Sequence, residues 1–243
     1  MVSEVNRLQS TLGRAPRGVV VGGGLLGLEA AEGLKDLGAE PTILDVAPWL
    51  LSVEVDQGGG YAVNAQIKAT GIEIETGVYI SGINKDADGN VVSVSIADSP
   101  SEDAEIRTLP ADMVVFGAGI RPNDELARDA DLALGERGGI LVNDACHSSD
   151  EHIWAIGEVA CVLGRTWGLV APANAMADAV AANLLNDNEE AQVEEFDIAT
   201  KLKFSGVQVA GFGDRRGTTE GCLEVLFADP ARGMYQKLSL IHI

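Results

Sequence analysis

The chain has 243 residues, 46% of them hydrophobic, with 37 acidic against 17 basic side chains and a formal net charge of −20 at pH 7. That hydrophobic fraction suffices for one large or two modest cores and excludes a disordered chain. The dispersed negative charge disfavours nucleic acid and anionic membrane as partners; no apolar run approaches a membrane span and no signal peptide precedes the first strand, so a cytoplasmic location is expected.

Residues 1–13 predict a short amphipathic helix with Val5, Leu8 and Leu12 on one face, broken by Ala15 and Pro16. A lone helix in this place reads as the residual tail of a preceding domain. Residues 18–31, GVVVGGGLLGLEAA, then organise the chain. Val19, Val20 and Val21 suit a buried parallel strand, which runs directly into Gly22, Gly24 and Gly27 at GxGxxG spacing. Gly22 permits a tight turn, Gly24 lets a backbone approach a pyrophosphate, and Gly27 lets the next helix pack closely on the strand. Gly23, Leu25 and Leu26 complete the loop, and the helix starting at Leu25 aims its unpaired N–H groups at the anion.

Asp45 ends the next apolar run, where a carboxylate can accept both hydroxyls of an adenosine ribose. A glycine turn without a ligand would show the same three glycines. Here the strand, the helix and the acidic residue all stand where a dinucleotide fingerprint requires them. Residues 46–52 contain no Arg or Lys to meet a 2′-phosphate, so NAD(H) is expected rather than its phosphorylated form.

Further along, Asp56 is expected to cap a helix reaching Thr70, with Gly58, Gly59 and Gly60 fraying its first turn. Residues 71–75 read as a strand, and residues 79–84, 91–96 and 106–109 as an antiparallel meander. Residues 113–116 return as a buried parallel strand ending in Gly117, Ala118 and Gly119, which should lie beside the first glycine cluster. A different unit follows, with a helix at 125–131, a strand at 138–142, the stretch 153–156 ending in Gly157 and Glu158, and a long helix at 169–185 presenting Met176, Val180 and Leu184 on one face. Residues 186–195 read as a linker, and 196–226 as the opening of a β-rich domain.

Cys146, Cys161 and Cys222, like His147, His152 and His242, are too scattered for a disulfide framework, a CxxC pair or a metal site. Any redox chemistry is therefore expected to come from an organic cofactor or from protein outside this stretch.

Three strings, GGGLLGLE, DMVVFGAGIRPN and IWAIGE, follow the order seen in the pyridine nucleotide-disulfide oxidoreductase superfamily, which the chain resembles. The resemblance implies an α/β architecture: a Rossmann-like NADH-binding domain at 17–119 inserted in a partial FAD-binding domain at 120–187, then the start of a small β-rich interface domain at 196–237. It implies that Glu29 and the turn of Gly117, Ala118 and Gly119 surround the nicotinamide, and that Gly157 and Glu158 hold the flavin. Aspartate is commoner at the position of Glu158. Within the superfamily, GGGLLGLEAA, GLVAP and TKLKFSGVQVAGFGD are most similar to the nitrite reductase large-subunit branch.

That branch implies NADH oxidation by bound FAD, with electrons passing to an iron–sulfur and siroheme centre that reduces nitrite to ammonia, and a small subunit or a second copy of the chain as protein partner. On this reading the chain is an interior fragment, its first FAD fingerprint lying upstream and its metal-ligating cysteines downstream. Residues 238–243, LSLIHI, resemble a translated sequencing adaptor and are set aside. Two alternatives stay open: a reductase of rubredoxin, ferredoxin, oxygen or a disulfide, and a nucleotide-binding module without turnover. Titration with both coenzymes is expected to show NADH binding more tightly than NADPH; comparable affinities would refute the preference.

Overall fold

The computed structural model describes residues 1–101, 103–185, 191–194, 196, 199–214 and 219–240. It divides into two units, Met1–Gly119 with Thr200–Ile243, and Ile120–Ala199. The first begins with α1 (Val2–Leu12), which ends at Gly13 in the left-handed region at φ 64°. Val5 and Leu8 are buried in the same cluster as Leu34 and Ala39, and Gln9 Nε2 donates to the Leu37 carbonyl at 2.8 Å. The helix expected to be a preceding domain's tail thus packs into this unit's own core, because its narrow apolar stripe finds a matching surface there.

Next come β1 (Arg17–Val21), α2 (Leu25–Asp36), β2 (Glu40–Asp45), α3 (Gln57–Ala69) and β3 (Glu73–Thr76). The expected meander follows as β4 (Tyr79–Lys85), β5 (Val91–Ala97) and β6 (Ile106–Pro110), and the chain re-enters the main sheet as β7 (Met113–Phe116). The main sheet is parallel, in the order β3-β2-β1-β7. Val20 and Ile43, paired across β1 and β2, face the helices; their neighbours Val19 and Leu44 face the meander. A strand covered on both sides needs apolar residues at every position, and the Val-Val-Val run supplies them.

Asp56 caps α3 by accepting from the Gly59 N–H at 3.0 Å. The glycines behind it do not fray the helix. A Cβ on Gly60 would overlap the Trp49 ring, and one on Gly58 would stand 2.6 Å from the Tyr235 ring, so these are positions of close approach. Burial opposes ionisation of Asp56, but the Gly59 N–H, the Tyr235 hydroxyl and Lys237 hold its carboxyl below the usual range. Burial and the bond to Asp56 in turn push the Tyr235 phenol up to about 12.

The second unit holds α4 (Glu125–Asp129), β8 (Ile140–Leu141), β9 (Ala160–Val162), β10 (Arg165–Thr166) and α5 (Val170–Leu185). Its small sheet runs β10-β9-β8. The strand expected over 138–142 is therefore reduced to two residues, and the 160–166 hairpin was not anticipated. On α5 the buried residues are Pro172, Met176 and Ala179, whereas Leu184 is exposed. Of the three residues expected on one face, Met176 and Val180 pack into the core of this unit and only Leu184, in the last turn, lies outside it. The expected linker lies mostly outside the described residues.

The remaining elements belong to the first unit. They are two antiparallel hairpins, β11 (Thr200–Lys201) with β12 (Ala210–Gly211), and β13 (Leu223–Asp229) with β14 (Met234–Leu240). Leu238, Ser239 and Leu240, set aside above, pair with Val225, Glu224 and Leu223 in that last ladder. His242 lies outside the described residues.

The base of the main sheet is held by Asp112. Its side chain, 8% exposed, accepts from Arg14 at 2.8 Å, from Arg17 at 3.0 Å and from the Arg17 N–H at 2.7 Å. Burial pushes the carboxyl up, and these donors outweigh it and hold it well below the usual carboxylate range. Asp112→Asn is expected to cost about 1–3 kcal/mol at neutral pH. Because the folded-state pKa is depressed, this contribution is complete above the unfolded aspartate value near 4 and is lost as pH falls below it. Urea unfolding from about pH 7 down to about pH 2 should therefore show wild type and variant converging in acid.

Candidate functional site

At the carboxyl edge of the main sheet three backbones meet. Gly22, at φ 113°, turns the chain out of β1, and its N–H donates to the Leu44 carbonyl at 2.8 Å. A Cβ on Gly22 would lie 2.5 Å from the Gly117 carbonyl oxygen, and one on Gly117 would lie 3.1 Å from the Gly27 Cα. A Cβ on Gly27 would overlap the Gly22 carbonyl itself. The first glycine of the fingerprint, the last one, and the glycine after β7 therefore exclude side chains from one another's space.

Gly24 is different. Its φ of −82° is ordinary for any residue, and nothing lies within 4 Å of where its Cβ would be. It is the first cap of α2, and no side chain caps that end. Leu28 N–H donates to the Gly24 carbonyl at 3.0 Å, so the N–H groups of Leu25, Leu26 and Gly27 precede the first helical bond and point out of the helix end. Open space beside Gly24 and uncapped donors behind it form a cradle suited to an anion.

Asp45 stands at the end of β2. One carboxylate oxygen accepts from the Gly23 N–H at 2.5 Å and the other from the Ala47 N–H at 2.8 Å. It therefore ties the glycine turn to the loop after β2, and each oxygen retains a further lone pair. A residue that spacing did not reveal shares this work. Leu51, buried and in the left-handed region at φ 55°, donates its N–H to the Gly23 carbonyl at 2.8 Å. Nothing in a leucine's identity announces that conformation.

The structure thus brings together Gly22, Gly23, Gly24, Leu25, Leu26, Gly27, Asp45, Gly117 and, next in the chain, Ala118 and Gly119. Gly119, at φ 87°, has open space where a Cβ would be. Glu29, one turn further along α2, accepts from the Lys203 N–H at 3.3 Å. Gly157 and Glu158 lie in the second unit. Gly157 has φ 79° and no neighbour within 4 Å of its Cβ position, its N–H donates to Met176 Sδ at 3.3 Å, and Glu158 is exposed. A cavity of about 1060 Å³ in the first unit, lined by Val63, Phe212, Phe227 and Tyr235 among others, lies on α3 and the C-terminal hairpins and not at the glycine cradle.

A parallel sheet carrying this cradle at its carboxyl edge defines a dinucleotide-fold oxidoreductase, and the chain belongs to the pyridine nucleotide-disulphide oxidoreductase family, whose model matches residues 2–182. It is similar to the NADH-dependent nitrite reductase large subunit of Escherichia coli (strain K12), at 38% identity over 237 residues, covering 98% of this chain and 27% of that protein. The chain thus spans about a quarter of the length of that relative. Among solved structures, it is similar to a ferredoxin reductase for the CYP199A2 system from Rhodopseudomonas palustris, with TM-score 0.76 and 27% identity over 98% of this chain and 56% of that one. A FAD-dependent pyridine nucleotide-disulphide oxidoreductase from Desulfovibrio vulgaris matches with TM-score 0.75 and 25% identity over 93% and 57% of the two chains.

Two glycine substitutions separate fold from ligand. Gly27→Ala forces α2 away from β1 and is expected to destabilise the unit by about 1–3 kcal/mol or more, read as a lowered unfolding midpoint. Gly24→Ala should leave that midpoint nearly unchanged; if the open space beside Gly24 receives a dinucleotide's pyrophosphate, the added methyl group should weaken its binding.

Proposed function

We propose that the first unit binds NADH and that the second holds part of an FAD site, together forming the coenzyme-oxidising portion of a flavoprotein reductase. What carries this reading is the cradle at Gly24, open to solvent, backed by uncapped N–H donors and flanked by a carboxylate. The backbone N–H groups of Gly24, Leu25, Leu26 and Gly27 would hold the pyrophosphate, Asp45 the adenosine ribose, and Glu29 with the Gly117 to Gly119 turn the nicotinamide end. Gly157 and Glu158 would contact the flavin. When bound, NADH would supply a hydride and FAD would be its acceptor.

The work of the chain itself is positional. In the first unit it has to fix the coenzyme, and the close backbone packing at the ends of β1 and β7 suits that task. The absence of Arg and Lys from residues 46–52 favours NADH over NADPH. The similarity to nitrite reductase large subunits supports passage of the electrons to an iron–sulfur and siroheme centre that reduces nitrite to ammonia, with a small subunit or a second copy of the chain as partner.

The test is spectroscopic. Protein mixed with FAD and separated from free cofactor is expected to be yellow and to bleach on anaerobic addition of NADH; a colourless protein that still binds NADH would leave only a nucleotide-binding module. Asp45→Ala should weaken NADH by about 1–3 kcal/mol, the scale of one charged hydrogen-bonding group, and unchanged affinity in a fluorescence titration would remove Asp45 from the site.

A further inference from the structure

The hairpin at residues 200–211 lies beyond the stretch matched by the family model, yet it is built into the core of the first unit. Leu202, Phe204 and Val207 are buried in the same cluster as Val20, Leu28 and Ile43. The hairpin is closed by Leu202 N–H to the Val209 carbonyl at 3.0 Å and Val207 N–H to the Phe204 carbonyl at 3.2 Å. Leu202 and Phe204 are buried, and the N–H groups of the residues that follow each of them are bonded to α2. There Lys203 N–H donates to Glu29 Oε1 at 3.3 Å, and Ser205 N–H donates to Glu32 Oε1 at 2.5 Å. Glu29 and Glu32 are three apart and so share one face of the helix.

The same hairpin reaches the other side of the glycine turn. Thr200 Oγ1 donates to Glu54 Oε2 at 2.7 Å, the Glu54 N–H donates to the Leu51 carbonyl at 2.8 Å, and Leu51 N–H holds the Gly23 carbonyl at 2.8 Å. Both flanks of the cradle, α2 and the loop after β2, are therefore tethered to one element from far along the chain.

We propose that residues 200–211 form a positioning brace for the dinucleotide cradle. By tying Glu29 and Glu32 to its backbone and Glu54 to Thr200, the hairpin fixes the first turns of α2 against the loop after β2. The uncapped N–H groups are thereby aligned before the ligand arrives, and one oxygen of Glu29 is fixed while the other stays available. Lys203 and Ser205 act through their backbone and are positioning residues, not catalytic ones. The brace deepens the NADH-binding reading and rests on it for its ligand. Preorganisation of this kind raises affinity by removing the ordering cost from the binding step.

The experiment uses the full chain and NADH itself. Glu32→Ala removes one acceptor and Ser205→Pro removes its donor, whereas Glu32→Gln and Ser205→Ala retain both partners. The two disrupting variants are expected to bind NADH about 5–30-fold more weakly than wild type, and the retaining variants within about twofold. Without ligand, amide hydrogen exchange across residues 24–28 should quicken in Glu32→Ala and stay unchanged in Glu32→Gln. A Glu32→Ala protein with a lowered unfolding midpoint but wild-type affinity and exchange would make the hairpin a structural contact only and overturn the proposal. Wild-type protein that fails to bind NADH, with exchange still responding to Glu32→Ala, would instead overturn the NADH reading and leave the brace standing.

Discussion

The site depends on mutual exclusion of side chains where β1, α2 and β7 converge. The Gly22 carbonyl occupies the space a Cβ on Gly27 would need, and the Gly117 carbonyl occupies the space a Cβ on Gly22 would need. The two backbones at Gly22 and Gly27 can approach this closely only because both residues are glycine, and a Cβ on Gly117 would be tight against Gly27 at 3.1 Å. The position left open, at Gly24, is the one with no protein atom near its missing side chain. Close packing and open space alternate along six residues, and that alternation is what turns a strand-to-helix connection into an anion cradle.

The cradle has to work against the charge of the whole molecule. With a net charge of −20, the long-range field repels a dinucleotide, so attraction must come from dipoles at contact distance. The uncapped end of α2 supplies them, and the surroundings hold them still. Asp45 and Leu51 together take both the N–H and the carbonyl of Gly23, and this closes the turn onto the loop after β2. The carboxylate expected to serve the ribose serves the protein's own backbone, and each oxygen can still accept a second hydrogen bond.

Family membership sets the class of chemistry, and the rest is a matter of which other parts join in. The match to a nitrite reductase large subunit extends over 98% of the chain and 27% of that protein. In the second unit, nothing lies within 4 Å of where a Cβ on Gly157 would be, and Glu158 is exposed.

Much of this was legible in the residue order where the reason for a residue is local. The Val19 to Val21 run, the spacing of Gly22, Gly24 and Gly27, and the placing of Asp45 each follow from backbone sterics or hydrogen bonding within a few residues. The glycines of α3 were misread because their reason is distant: Gly60 is pressed by Trp49, and Gly58 by Tyr235, far along the chain. On α5 the expected face held at Met176 and Val180, which pack into the core of the second unit, and failed only at Leu184, which is exposed in the last turn. Leu51 in a left-handed conformation and the bonds from residues 203 and 205 to α2 leave no trace in composition at all. By itself the sequence determined the strand, the turn, the helix and the carboxylate, since each is specified by short-range conformational preference. Only the tertiary structure decided that α1 and residues 200–211 join the same core and brace the same turn, because contacts between segments so far apart are selected by shape and burial, which no local pattern records.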